Sequence, residues 1–135
     1  MSVWFTRSVL AGSGAILGII GAAMMLRPRA FLATSEIFIS SDPGLVSELT
    51  APSGILVIAG GIMFLGALRE RFAQLTLRIG AIVYGSYGVG RLGGMALHCN
   101  PSQALIGATV IELGMAILLV TMLLFSTIPN KPQRG

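Results

Sequence analysis

The sequence predicts an all-α membrane protein, with four transmembrane helices in a compact bundle and a short interfacial segment between helices 1 and 2. Of its 135 residues, 54% are apolar and only 10% are charged, whereas a soluble domain carries about 25% charged residues. The mean hydropathy is +0.86, and the 18 glycines are typical of membrane helices. A soluble globular protein is excluded because so few charged residues cannot cover a water-facing surface.

Four apolar runs are long enough to cross a bilayer. A crossing helix needs about 20 residues, and the shortest run covers roughly 28 Å at 1.5 Å per residue. No linker is long enough to separate two domains, so we predict that residues 1–135 form a single domain. The predicted spans are at about 8–26, 50–68, 72–97 and 103–125.

The first apolar run resembles a signal peptide, because Arg7 precedes it as a charged n-region would. The run is longer than the usual apolar region of a signal peptide, and Arg27 and Arg29 directly after it are poor flanks for cleavage. We therefore predict a retained helix.

The connection 27–49 mixes apolar and acidic residues and is too short and too polar to span. It is typical of an interfacial segment, in which Pro28 would open a short helix. Asp42-Pro43-Gly44 predicts a turn before the chain re-enters the membrane.

The net charge of +4 does not indicate a nucleic-acid partner, because the basic residues are single or paired at the ends of apolar runs. Lys and Arg at such positions favour the cytoplasmic side, and the lipid bilayer is the expected partner. With four spans, both termini share a side with the 69–71 loop, and both termini are predicted to be cytoplasmic. Cys99 would then lie on the outer face. The basic residues on the predicted cytoplasmic side are Arg7, Arg69, Arg71, Lys131 and Arg134.

Two charged residues lie deep in predicted spans. Arg91 is roughly 9 Å inside the outer end of its helix, and Glu112 is roughly 13 Å inside the next. A charged group at the centre of a membrane helix costs about 2.5–3.5 kcal/mol and usually faces a partner or a wet cavity. The short connection makes the two helices neighbours, so Arg91 is predicted to pair with Glu112. Glu48 at the outer mouth of the second span is an alternative partner.

Further polar residues share the Arg91 face. Tyr84, Tyr87, Arg91 and His98 are three, four and seven residues apart, which places them on one stripe of a helix. One interpretation is a polar ligand pocket in the outer half of the membrane. The other is a structural Arg–Glu pair that orients two helices and binds nothing. The candidate pocket residues are Arg91, Glu112, Glu48, Tyr84, Tyr87 and His98.

No grouping in the sequence indicates catalysis. His98-Cys99 offers two metal ligands without a second cluster to complete a site, and no serine has a base at suggestive spacing. No metal, no cofactor and no catalytic residue is predicted. Gly14 with Gly18, and Gly90 with Gly94, have the GxxxG spacing that brings membrane helices close together. We favour packing within the bundle over dimerisation for both pairs.

The chain resembles the bacterial membrane proteins grouped as domain of unknown function 4345 (DUF4345), which are small, glycine-rich, four-helix proteins. The resemblance rests on 48–54, which reads Glu-Leu-Thr-Ala-Pro-Ser-Gly, and on Gly60-Gly61, Gly90-Arg91 and Glu112, and covers roughly the last two thirds of the chain. It implies a bacterial inner-membrane location and marks Glu48, Arg91 and Glu112. It implies no activity.

Three hypotheses about function follow. The favoured one is a structural or accessory subunit without catalytic activity that packs against a larger membrane complex, so a membrane-protein partner or a second copy is a candidate partner. The alternative is a carrier or binder of a small anionic or amphipathic molecule, with Arg91 as the anion site and Glu112 as a proton-linked switch. An intramembrane enzyme ranks last, since no nucleophile, metal site or cofactor motif accompanies the polar residues.

Overall fold

The computed structural model describes residues 2–39, 42–98 and 101–127, and its regular elements are all helical, which confirms the predicted all-α class. The helices are α1 (Val3–Leu26), α2 (Pro28–Ala33), α3 (Pro43–Leu68), α4 (Ala73–His98) and α5 (Gln103–Thr127). A 3-10 turn at Glu70–Phe72 joins the two longest helices of the described chain, α3 and α4.

The third helix begins seven residues before the predicted start of the second span, at Pro43 rather than at residue 50. The Asp42 carboxylate accepts a hydrogen bond from the Gly44 N–H at 2.8 Å, and Pro43 occupies the first turn. An aspartate followed by proline and glycine is typical of a turn and also of a helix start, because in both the aspartate side chain accepts from a nearby backbone N–H.

The first helix likewise starts earlier than predicted, at Val3. Pro28 opens the predicted short helix.

Three helices are long and apolar enough to cross a membrane within the described part of the chain. They are α1, α3 and the stretch Gln103–Ser126 of α5, with hydropathies of 2.1, 2.0 and 2.3. The 26-residue α4 is as long, but it is less apolar because it carries Arg78, Arg91 and many small residues. Most residues of α1, α3 and α5 are not buried inside the bundle, as expected for helices in contact with lipid.

The closest packing in the fold joins α1 to α3, which run antiparallel. A Cβ atom added to Gly60 would lie 2.6 Å from the Gly14 carbonyl oxygen and 2.7 Å from the Gly18 nitrogen. The two backbones are therefore in direct contact, and Gly14 and Gly18 pack within the bundle. Gly90 and Gly94 differ, since no described atom lies within 4 Å of a Cβ added at either position, and no glycine opposite them makes a backbone contact like that of Gly60.

The apolar core lies at the end of the bundle that carries the amino terminus. It is formed by side chains from all four long helices, while the opposite end, next to α2, is less tightly filled. At the core end, Arg7 of α1 donates through Nε to the Ala67 carbonyl of α3 at 2.7 Å. α5 packs against α4 and has little contact with α1. The most deeply buried apolar residues are Leu10, Met63, Leu77, Leu119 and Met122.

Candidate functional site

An ion pair joins α4 to α5. Arg91 Nε lies 3.0 Å from Glu112 Oε1 and 2.9 Å from Oε2, and the two side chains are 33% and 16% exposed. The antiparallel packing of α4 on α5 places them opposite each other, because the connection between the helices is short. Arg91 therefore pairs with Glu112, as the sequence predicts, and this is the only ion pair among the described residues.

The pair leaves hydrogen-bonding capacity unused. The single Nε–H is directed at Oε1, so Oε2 gains the attraction of the nearby charge without a hydrogen bond. Oε2 is buried and has no hydrogen-bond partner among the described residues. The terminal guanidinium nitrogens of Arg91 likewise donate to no residue in the described ranges. A buried acceptor without a donor is costly, so this carboxylate favours a donor beside it.

Two tyrosines follow Arg91 down the same face of α4, and both hydroxyls donate to main-chain carbonyls of other helices. Tyr84 donates to Ser13 of α1 at 2.9 Å, and Tyr87 donates to Pro52 of α3 at 3.3 Å. Tyr84 is only 2% exposed. Each phenol joins two helices and keeps its oxygen lone pairs as acceptors.

These four side chains border a cavity of about 280 Å³ in the loosely filled half of the bundle. One wall is polar and the others are apolar, so the cavity suits a molecule with one polar end. The apolar walls come from α1, α2, α3 and α5. The lining residues beside Tyr84, Tyr87, Arg91 and Glu112 are Ile16, Leu17, Ile20, Phe31, Ser35, Leu56, Ala108 and Ile111.

Two of the six predicted site residues are not placed on the cavity. Glu48 is exposed on the second turn of α3, does not line the cavity and pairs with no cation in the described ranges. The alternative pairing of Arg91 with Glu48 is therefore absent from this structure. His98 ends α4, but its side chain and Cys99 lie outside the described residues.

The residues that cover the cavity are not among the six site residues predicted from sequence. Phe31 of α2 and Ser35 in the following turn lie over its end. Ser102 holds this cover in place: its hydroxyl donates to the Ser35 carbonyl at 3.2 Å and accepts from the Leu105 N–H at 3.3 Å as the α5 cap. Ser102 one residue before a helix is a recognisable capping signal, but its second contact is not readable from sequence.

The fold and site define a small helical protein with membrane-type apolar helices around a cavity that is polar on one side. The chain belongs to the family described as Domain of unknown function (DUF4345), whose model matches residues 5–123. The match includes α1, which the resemblance drawn from the later motifs did not cover. No curated protein and no solved structure shows significant similarity to the chain.

Proposed function

We propose that this protein is a membrane-embedded binding protein that takes up a small amphipathic molecule in the cavity between its helices. The observation that carries the proposal is the cavity itself, about 280 Å³ in volume, with the Arg91–Glu112 pair on one side and apolar walls elsewhere. Ligand sites are commonly of this kind, largely apolar with a few placed polar groups, and occur between the helices of bundles.

The unused donors and acceptor favour binding over a purely structural pair. A pair that only orients two helices is most stable when all of its polar atoms are satisfied, because unsatisfied buried groups are penalised. Glu112 Oε2 has no hydrogen-bond partner in the described chain, and Arg91 also lines a shallow groove with Pro52, Ser86 and Gly90. The sequence favoured an accessory subunit, and the cavity is the reason for placing ligand binding first.

We infer that all four long helices cross the bacterial inner membrane, with both termini cytoplasmic. The lower hydropathy of α4 is consistent with a span, because its polar residues Tyr84 and Arg91 face the cavity and not lipid. The cavity would then lie in the outer half of the bilayer. The proposal assigns no catalysis, since both tyrosine hydroxyls already donate to main-chain carbonyls.

The test uses the full-length protein purified in lipid nanodiscs, with retained small molecules quantified by mass spectrometry. Ala108 lines the cavity, so Ala108→Leu fills part of it and should reduce retention of a bound amphiphile several-fold. Ala104→Leu is the matched control, because Ala104 is exposed on the same helix and does not line the cavity. Equal retention by the two variants and the unmodified protein would contradict the proposal.

The accessory-subunit function remains the second candidate, favoured by the outward face of α4. Among the described residues, no atom lies within 4 Å of a Cβ added to Gly90, Gly93 or Gly94, so a helix of another protein or a second copy has room to approach closely. Gly90→Leu with Gly94→Leu should then abolish a defined complex in native mass spectrometry while leaving the monomer folded. A complex unchanged by both substitutions argues against this face as the contact.

A further inference from the structure

We propose that the cavity selects an uncharged, hydroxyl-bearing amphiphile, whose hydroxyl donates to the Glu112 carboxylate and accepts from a terminal N–H of Arg91. This inference rests on the proposed binding function and specifies the chemical class of the ligand. It differs from a site for an anion, which the isolated Arg91 would indicate.

The charges around the cavity favour an uncharged ligand. Arg91 and Glu112 are the only charged side chains among the lining residues, and they carry opposite charges in contact with each other. An ionised head group would enter a largely apolar space without a net opposite charge to compensate the loss of water, which is costly.

The hydrogen-bonding groups favour a hydroxyl. The Glu112 carboxylate accepts one hydrogen bond and can accept more, while the terminal Arg91 nitrogens donate to no residue in the described ranges, and both residues line the cavity. A single hydroxyl group can donate one hydrogen bond and accept another, whereas an ether oxygen can only accept. Tyr84 and Tyr87 reinforce this preference, because their own protons are donated to the backbone and only acceptor capacity remains.

The size and the openings of the cavity favour a molecule dissolved in the bilayer. An enclosed apolar cavity of about 150 Å³ holds benzene, so 280 Å³ suits a body of roughly twice that size. Ile16 of α1 and Ile111 of α5 line the cavity and are 43% and 59% exposed. Because α1 and α5 both line the cavity and have little mutual contact, we infer that a ligand enters from the lipid between them.

The test uses full-length protein in nanodiscs and octan-1-ol carrying a diazirine, with the labelled residues mapped by mass spectrometry. The competitors are octan-1-ol, 1-methoxyheptane, nonane and heptanoate, which match in number of non-hydrogen atoms and are compared at equal membrane mole fraction. We expect labelling of cavity-lining residues on α1 and α5, with octan-1-ol competing about ten-fold better than the other three, as a hydrogen bond to a charged group implies.

The outcomes separate this inference from the proposed function. Cavity labelling that all four competitors reduce equally would overturn the hydroxyl selectivity and leave cavity binding intact, and strongest competition by heptanoate would overturn it in favour of an anion site. Absence of cavity labelling would overturn both the hydroxyl selectivity and the proposed binding function.

A pair of variants tests the carboxylate directly. In Glu112→Gln the preference for octan-1-ol over 1-methoxyheptane should fall several-fold. Glu48→Gln, the same change at an exposed carboxylate away from the cavity, should preserve that preference. The competition series on the unmodified protein decides the question even if Glu112→Gln does not fold.

Discussion

The hydroxyl of Tyr84 donates to the main-chain carbonyl of Ser13 at 2.9 Å, which joins α4 to α1 across the buried floor of the cavity. Residues 71 positions apart in sequence are thereby held in contact, and the Ser13 side chain is itself buried against its own helix through a hydrogen bond to Val9. This contact lies between the apolar core and the cavity, so it marks where tight packing ends.

Tyr84→Phe is expected to lower the free energy of unfolding by about 1 kcal/mol, because it removes one buried hydrogen bond and keeps the ring. Tyr87→Phe is the matched control: its bond to Pro52 is longer, at 3.3 Å, and more exposed, so its loss should cost less. Reversible unfolding in detergent measures both. An equal or larger effect of Tyr87→Phe would show that the Tyr84 bond does not stabilise the fold as inferred.

Arg91→Ala is expected to destabilise the protein by about 1–3 kcal/mol, because it leaves the Glu112 carboxylate without its cation. The value lies below that of a fully buried pair, since Arg91 is 33% exposed. Arg91→Ala combined with Glu112→Ala should recover part of the loss. A double-mutant cycle with no coupling energy would contradict a stabilising pair.

Gly60→Ala is expected to destabilise the bundle by about 1–3 kcal/mol, because the new methyl group would overlap the Gly14 carbonyl and force α1 away from α3. Gly61→Ala on the same helix meets no atom within 4 Å and should be neutral or stabilising by up to about 1 kcal/mol, as alanine favours helix. Comparison of the two unfolding midpoints is the measurement. Equal midpoints would exclude backbone contact at Gly60.

Arg7→Met is expected to lower stability by about 0.5–1 kcal/mol, because the guanidinium bonds a carbonyl at the carboxyl end of α3, where helix carbonyls carry partial negative charge. Arg78→Met is the control, since Arg78 is exposed on α4 and donates to no residue in the described ranges. The difference between the two should shrink as salt rises. A salt-independent difference would point to packing by the Arg7 side chain instead.

Cys99 reports on the proposed topology. With cytoplasmic termini the residue after α4 faces the outside, so an impermeant maleimide should label intact cells expressing the protein. A Cys99→Ser variant carrying cysteine at Ser126, near the opposite end of α5, should be labelled only after lysis. The reverse pattern would invert the orientation.

The Arg91–Glu112 pair was predictable from sequence, because a short connection fixes α4 and α5 as antiparallel neighbours and the depths of the two residues then match. The long helices were predictable because a long apolar run in a membrane must satisfy its own backbone hydrogen bonds, which a helix does. The start of α3 was misplaced because Asp42 caps a helix with the same contact that it would make in a turn. The polar wall of the cavity was predictable, because Tyr84, Tyr87 and Arg91 share one face of a helix. The apolar walls were not, because they depend on the separation of α1 from α5, which no local pattern encodes.

The uneven packing of the bundle has a consequence for exchange with the membrane. At the amino-terminal end, Leu10, Met63 and Leu119 are fully or almost fully buried, and Arg7 is bonded to Ala67. α1 and α5 have little contact with each other, so they can separate beside the cavity without exposing the buried core. Local opening of this kind costs much less than global unfolding. Under the proposed binding function, a guest molecule would enter and leave while the protein stays folded.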